Sequence, residues 1–339
     1  MTSLMYAFCI SLATVPLPFV GLKLFFPFAI LIALTQFKKI PLQRLLVGLV
    51  IIFLLTSLSF LFKNEPGKVL IILYCSLSVS LVLFDFTIKT LDWVRVANFH
   101  IFAFLVSLIS IFLLDFDIVA KFIYGESRHL TGAFEMIRFR GSGVYQEPST
   151  YAYHLLAIVL LIQILEPEEY FYTKLYILFF SLLSFSAAAA VSLIFIGYLM
   201  IKSPIKFKLK IAIFTVLIPV VAYVGYIVIE FMLYKINVYA QSGFTDVTRF
   251  QAVNLYIETL PLLGLSEIEL KQFVVFDLGP LFSSIIMFGV VGLFVVFLFI
   301  YSCFKQPLFS TLVVTKIPLT DPLLWMVVKQ ILTKSDRLK

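Results

Sequence analysis

Long apolar runs separated by short polar breaks constrain this chain more than any other feature. The runs are longer than a soluble core needs, and the mean hydropathy is +1.07 with 38 Phe among 339 residues. Roughly 20 apolar residues in a helix cross a bilayer, because a helix satisfies its own backbone polar groups in lipid. The sequence therefore predicts an all-α, polytopic integral membrane protein with about 10–12 transmembrane helices.

Lysine and arginine between the runs predict which side each loop faces, since cytoplasmic loops are enriched in both. The net charge of +7 would indicate nucleic acid binding in a soluble protein, but here most lysines are explained as topology signals. Residues 1–339 are then a single membrane domain with two large outer loops, residues 115–147 and 230–279. Membrane lipids are expected as partners, and nucleic acid is not.

The apolar run Leu175–Ile201 decides the parity of the predicted spans. Four lysines follow it and should be cytoplasmic, whereas a single crossing would place them outside. Ser184, Ser186 and four alanines occupy the middle of the run, so two short helices packed as a hairpin fit its length and the charges. One long tilted helix is the alternative.

Several shorter stretches are expected to be loops or breaks. The predicted loops are Lys63–Lys68 outside, and Asp85–His100 and Glu166–Lys174 inside. The last stretch, Pro307–Leu332, contains proline and charged residues, which predicts two half-spans or a re-entrant hairpin.

The second outer loop is expected to contain a helix. Asp246 can cap it, Arg249 then lies in its first turn, and Pro261-Leu-Leu-Gly264 ends it. Phe250, Val253, Ile257 and Leu260 would form one apolar stripe along this helix.

Polar chemistry is densest in Arg138–Ser149, which stands directly before an apolar run. Pro148 suits the first turn of a helix, so Glu147 falls at the cap of the span predicted over Pro148–Leu165. The helix dipole favours a carboxylate or a bound anion at that position. The two glycines of the segment would let the backbone turn tightly or approach a ligand closely.

Four of the seven arginines lie in the outer loops, against the positive-inside trend: Arg128, Arg138, Arg140 and Arg249. A guanidinium binds phosphate through a bidentate fork and keeps its charge, so the set indicates an anionic ligand. The alternative is pairing with lipid headgroups or with outer-loop acids, namely Asp115, Asp117, Glu126 and Glu135. The three histidines are far apart in sequence without ligand spacing, so no metal or other cofactor is expected.

These motifs resemble a known family. Arg140-x-x-Gly143-x-x-x-Glu147-Pro-Ser149 at the outer end of a span is similar to the signature of the O-antigen polymerases, which join lipid-linked oligosaccharide repeat units and are related to the O-antigen ligases. The second loop resembles theirs through Thr245-Asp246-x-x-Arg249, Pro261-Leu-Leu-Gly264 and, in the next span, Phe288-Gly-Val-Val-Gly292. Ligases usually carry a histidine where this chain has Asp277-Leu-Gly-Pro280, which favours a polymerase.

The resemblance implies glycosyl transfer at the outer face of the bacterial cytoplasmic (inner) membrane. Donor and acceptor would be undecaprenyl pyrophosphate-linked oligosaccharides, the product a surface polysaccharide such as O-antigen or capsule, and a chain-length regulator a further partner. Arginines can stabilise the leaving pyrophosphate without a metal. Arg140 and Arg249 are then expected to be catalytic, and Arg128, Arg138 and Gly143 to bind substrate.

The incoming sugar hydroxyl needs a base, for which Glu147 and Asp277 are candidates. The cap position and the nearby arginines would keep Glu147 ionised and make it a weak base, so orienting Arg140 is an alternative role. Tyr145 is a candidate for stacking on a sugar ring, with an interfacial aromatic belt as the alternative. His154 is expected to be a hydrogen-bonded helix-packing residue.

A transporter or flippase of an anionic lipid-linked substrate would also place arginines in a cavity. Transporters put ionisable residues near the membrane midplane, often at broken helices. Here nearly all charge lies at span ends or in the outer loops, with Lys23 the main exception. Chemistry at the outer surface is therefore preferred.

Overall fold

A computed structural model describes residues 3–16, 65–83, 88–125, 141–202, 248–272 and 279–335, with isolated positions between 23 and 62 and between 208 and 233. The regular elements of these residues are all α-helices, which confirms the all-α part of the predicted fold class. They are α1 (Ser3–Ser11), α2 (Pro66–Leu83), α3 (Thr90–Leu114), α4 (Ile118–Tyr124), α5 (Pro148–Leu165), α6 (Phe171–Leu182), α7 (Ala187–Lys202), α8 (Thr248–Thr259), α9 (Glu267–Gln272), α10 (Gly279–Lys305), α11 (Phe309–Val313) and α12 (Pro322–Ser335).

Three helices of the described part, α3, α5 and α10, are long and apolar enough to cross a membrane. Shorter apolar helices lie within α2, α6, α7 and α12. The chain is a membrane protein, as the sequence predicts. The predicted count of about 10–12 spans stays a prediction.

The chain divides into two compact units. One contains Met1–Val15, Leu22–Asp92 and Thr245–Lys339, and the other contains Pro16–Gly21 and Trp93–Phe244. In the first unit α2 packs against α12, and α10 packs against α11 and α12. In the second unit α5, α6 and α7 pack against one another.

Helix α5 is the centre of the second unit. Its bounds are those predicted for the span, and every residue from Tyr151 to Ile164 is buried. A helix that is apolar on all sides can be covered on all sides, because no face of it needs water. The residues at the start of α5 are therefore held by a closely packed element.

The run Leu175–Ile201 forms two helices, α6 and α7, joined by a short turn. Ser186 begins the second helix, since its hydroxyl accepts a hydrogen bond from the Ala189 amide at 3.1 Å, and Ser184 Oγ lies 3.1 Å from Ser186 Oγ. Ser181 and Ser192 are hydrogen-bonded across the pair at 2.9 Å. The hairpin prediction is confirmed, and the single tilted helix is wrong.

The predicted inner turn Glu166–Lys174 is shorter than expected, because α6 begins at Phe171. Lys174 is buried inside this helix, and its ammonium donates to Gln163 Oε1 at 2.8 Å, Glu166 O at 2.8 Å and Pro167 O at 3.0 Å. Two of the acceptors are carbonyls at and beyond the end of α5. A buried lysine is tolerated here because its donors are satisfied.

Replacing Lys174 with methionine is expected to destabilise the protein by about 3 kcal/mol, since three buried or partly buried acceptors would lose a charged donor. Thermal unfolding of the purified protein in detergent measures the effect. Lys202→Met is the matched control, because Lys202 is exposed at the end of α7. Equal unfolding temperatures for the two variants would contradict the structural role of Lys174.

Two other loop predictions are wrong at their C-terminal ends. Helix α2 begins at Pro66, and Lys68 is buried in it with Nζ 2.8 Å from Glu65 Oε2. Helix α3 begins at Thr90, so most of the predicted loop Asp85–His100 is helical. The charged residues suggest loops at these positions. Pro66 at the first position of α2 and Asp92 in the first turn of α3, however, both favour the start of a helix.

The predicted interruption of Pro307–Leu332 is confirmed. Helix α11 ends at Val313, and α12 begins at Pro322. Asp321 caps α12 by accepting a hydrogen bond from the Leu323 amide at 2.9 Å.

Candidate functional site

The segment Gly141–Glu147 leads from the described end of the first outer loop into α5 and lies on α3. Gly143 has φ of +58°, and a Cβ there would lie 3.1 Å from the Phe104 amide nitrogen. A side chain would therefore meet the backbone of α3 as well as a strained conformation. The close approach predicted for a glycine of this segment is present, and its partner in the structure is a helix of the chain itself.

Glu147 is the cap residue of α5 and Pro148 its first residue, as predicted. The Glu147 side chain makes no capping hydrogen bond; its Oε2 instead accepts from the Ser149 hydroxyl at 3.0 Å. Its backbone carbonyl accepts from the Thr150 amide at 3.0 Å. The carboxylate is half-buried at the positive end of the helix dipole, where an anion is stabilised.

Tyr145 lies two residues before Glu147 and is 1% exposed. Its ring stacks on His154 with centroids 4.1 Å apart, and its hydroxyl is hydrogen-bonded to His100 Nε2 at 3.3 Å. The structure gives this ring a packing position, and contact with a sugar would require it to leave that position. Tyr151 is likewise stacked on Phe104 at 4.5 Å.

Two histidines lie beside Tyr145, and the sequence predicts the role of His154 but not that of His100. His154 Nδ1 donates to the Thr150 carbonyl oxygen at 2.8 Å, which agrees with the predicted hydrogen-bonded packing role. The sequence prediction misses His100 as a site residue, because it places His100 at the end of the loop Asp85–His100. It lies fully buried in α3, and its only sequence signal is a polar residue at the edge of an apolar run.

Asp117 is one of the acids that could pair with an outer arginine, but its carboxylate already has hydrogen-bond partners within the protein. Its Oδ1 accepts from the Val119 and Ala120 amides at 3.0 Å each, and its other oxygen accepts from the Ser107 hydroxyl. It is buried at the cap of α4. Of the four acids considered as arginine partners, this one is committed to holding α4 on α3.

Several predicted site residues lie outside the described residues: Arg128, Arg138, Arg140, Asp246 and Asp277. Arg249 is the second residue of α8, in the first turn as predicted, and its side chain is outside the description. The helix ends before Pro261, as expected. Its predicted apolar stripe is not the buried face, because Ile257 is 60% exposed while Ala252 is buried.

In the first unit, the turn Pro261–Gly264 packs directly on α10. The Leu265 amide donates to Ile286 O at 2.8 Å, and the Val290 amide donates to Leu262 O at 2.9 Å. Helix α10 is kinked at Gly289, whose φ is +54°. The two weaker motifs of the resemblance, Pro261-Leu-Leu-Gly264 and Phe288-Gly-Val-Val-Gly292, are thus in backbone contact.

The same turn and the first residue of α9 both contact the start of α2. Glu267 Oε2 accepts from the Gly67 amide at 2.6 Å, and Lys68 Nζ lies 3.5 Å from the Leu263 carbonyl oxygen. A carboxylate at the first turn of α2 is stabilised by the helix dipole. The contact agrees with the predicted topology, which assigns the start of α2 and the second loop to the outer side.

The sequence matches no protein-family model, no curated protein and no solved structure.

Proposed function

We propose that this membrane protein is a polymerase of lipid-linked oligosaccharide repeat units. The observation that carries the proposal is the compact fold of the motif around Glu147. Gly143 supplies the close backbone approach to α3, and Glu147, Pro148 and Ser149 together build the start of α5. Each described residue of the motif therefore has a distinct part in presenting one carboxylate, with Arg140 immediately before the folded segment.

In the proposed reaction, a hydroxyl of the acceptor sugar attacks the anomeric carbon of the donor. The bond from that carbon to the pyrophosphate oxygen breaks, and undecaprenyl pyrophosphate leaves with the electron pair. Arg140 and Arg249 stabilise the charge that develops on the leaving group. The hydroxyl proton passes to a carboxylate, either Glu147 or Asp277; if Asp277 takes it, Glu147 orients Arg140.

A transporter or flippase is the second candidate, favoured by the broken helix α10. Unwound helix segments bind substrates or ions in many transporters. At Gly289, however, the neighbouring turn takes up the break, since the Val290 amide donates to Leu262 O. Lys23, the exceptional charge of the first apolar run, lies with Nζ 5.1 Å from the centroid of the Tyr74 ring, which is a cation–π distance. Both features thus have partners in the chain, which favours the polymerase.

Deletion of the gene in its native host is expected to leave surface glycolipid carrying a single repeat unit, because export would continue while polymerisation stops. Electrophoresis of the surface polysaccharide separates the outcomes. Restored long chains on complementation support the polymerase. Loss of all surface repeats, with lipid-linked units retained inside the cell, would favour the flippase. Loss of attachment with long lipid-linked chains intact would favour the ligase.

A further inference from the structure

Tyr145 is the last buried side chain before the Glu147 carboxylate. Gln146, the residue between them, is exposed, and Glu147 itself is half-buried. Before Tyr145, the segment is fixed by the close approach of Gly143 to α3 and by the Tyr124 hydroxyl, which donates to the Val144 carbonyl at 3.1 Å. The position of Tyr145 therefore determines where the chain turns toward Glu147.

Ring stacking and a hydrogen bond hold the Tyr145 ring. Stacking on His154 and on His100, with centroids 4.1 Å and 5.3 Å apart, restricts the plane of the ring. The hydrogen bond between the Tyr145 hydroxyl and His100 Nε2 fixes its direction and joins the segment to α3, 45 residues earlier in the chain. All three side chains are buried, so water does not compete for the hydroxyl.

We propose that His100 and Tyr145 form a buried latch that positions Glu147, and that His100 is a positioning residue for the reaction. The proposal rests on the proposed function for its catalytic consequence, but the latch itself is a structural claim. Neither side chain needs to touch substrate. Catalytic groups misplaced by about 1 Å can lose about a hundred-fold in rate, so a distant latch has a measurable effect.

The test compares Tyr145→Phe with Tyr176→Phe in the full-length protein. The first removes the hydroxyl bound to His100 and keeps the stack on His154. The second removes a tyrosine hydroxyl that donates to Asn98, an exposed residue of the same helix α3. In an assay with purified lipid-linked repeat units, Tyr145→Phe is expected to lower kcat about tenfold with little change in KM. Tyr176→Phe should match the wild type.

His100 is tested by His100→Leu, which removes the hydrogen bond and the ring stacking on Tyr145, and His100→Gln, which retains a polar partner. His100→Leu should lower kcat at least as much as Tyr145→Phe, and the double variant should be no worse than His100→Leu alone, because the hydrogen bond is already lost in that variant. Partial recovery in His100→Gln is expected. Losses that multiply in the double variant, or a wild-type kcat in Tyr145→Phe, would overturn the latch.

A second readout is independent of activity. A spin label is attached through Gln146→Cys, after Cys9, Cys75 and Cys303 have been replaced by serine. Its mobility should rise in Tyr145→Phe and His100→Leu and stay unchanged in Tyr176→Phe. Unchanged mobility in all variants would overturn the latch, whether or not polymer is made. If mobility rises while the wild-type protein makes no polymer, the latch stands and the proposed function fails.

Discussion

Replacing Arg140 with lysine is expected to reduce polymer formation about ten- to a hundred-fold at matched expression, and Arg249→Lys should do the same. Both positions are proposed to hold the leaving pyrophosphate by bidentate contacts, which an ammonium cannot reproduce. The loss should appear in the rate of chain growth measured with lipid-linked repeat units.

Arg95→Lys is the control for these changes, because Arg95 is exposed on α3 in a region predicted to be cytoplasmic. It should make wild-type polymer. Arg128→Lys tests whether a third outer arginine also contributes to polymer formation. If both Arg140→Lys and Arg249→Lys make wild-type polymer, these two arginines do not hold the leaving pyrophosphate, whatever the family of the protein.

Replacing Gly289 with alanine is expected to destabilise the first unit by about 4 kcal/mol, enough to lower the yield of folded protein. Gly289 has φ of +54°, and a Cβ there would overlap the Leu262 carbonyl oxygen and lie 2.6 Å from the Gly264 nitrogen. Those atoms are backbone, so they cannot turn away as a side chain can. Gly264→Ala should behave alike, since its Cβ would lie 2.7 Å from Ile286 O.

Gly197→Ala is the matched control, because nothing lies within 4 Å of a Cβ at that helical position. It should be neutral or stabilise by up to about 1 kcal/mol, through the higher helix propensity of alanine. Monodispersity in size-exclusion chromatography and the unfolding temperature in detergent report the difference. If Gly289→Ala matches Gly197→Ala, the contact between the turn and the kink is not required for folding.

Features of the fold that depend on neighbours in the chain could be predicted from the sequence. Pro148 and Glu147 mark the start of α5, because their effects act within one helical turn. The hairpin of α6 and α7 follows from run length and the lysines after it. Gly289 belongs to a motif quoted for the family resemblance, but the sequence alone could not name Leu262 as the residue it meets.

Contacts between distant residues could not be predicted. His100 and Tyr145 are 45 positions apart, and nothing local marks them as partners. Lys174 looked like a surface charge because lysine is rarely buried, yet two of its acceptors are backbone carbonyls, which every residue carries. The sequence therefore predicts Glu147 of the candidate site but not the buried contact between His100 and Tyr145 beside it.

The burial of α5 from Tyr151 to Ile164 has a consequence for how the chain is made. This helix leaves the ribosome before α6 and α7, which later cover it. Its apolar surface lets it enter lipid before the other helices are present. When protein later replaces lipid around it, no polar face has to be moved out of water. His154 is hydrogen-bonded within the helix, to the Thr150 carbonyl oxygen. Gln163 accepts its hydrogen bond from Lys174, which follows eleven residues later in the chain. Insertion can thus precede packing.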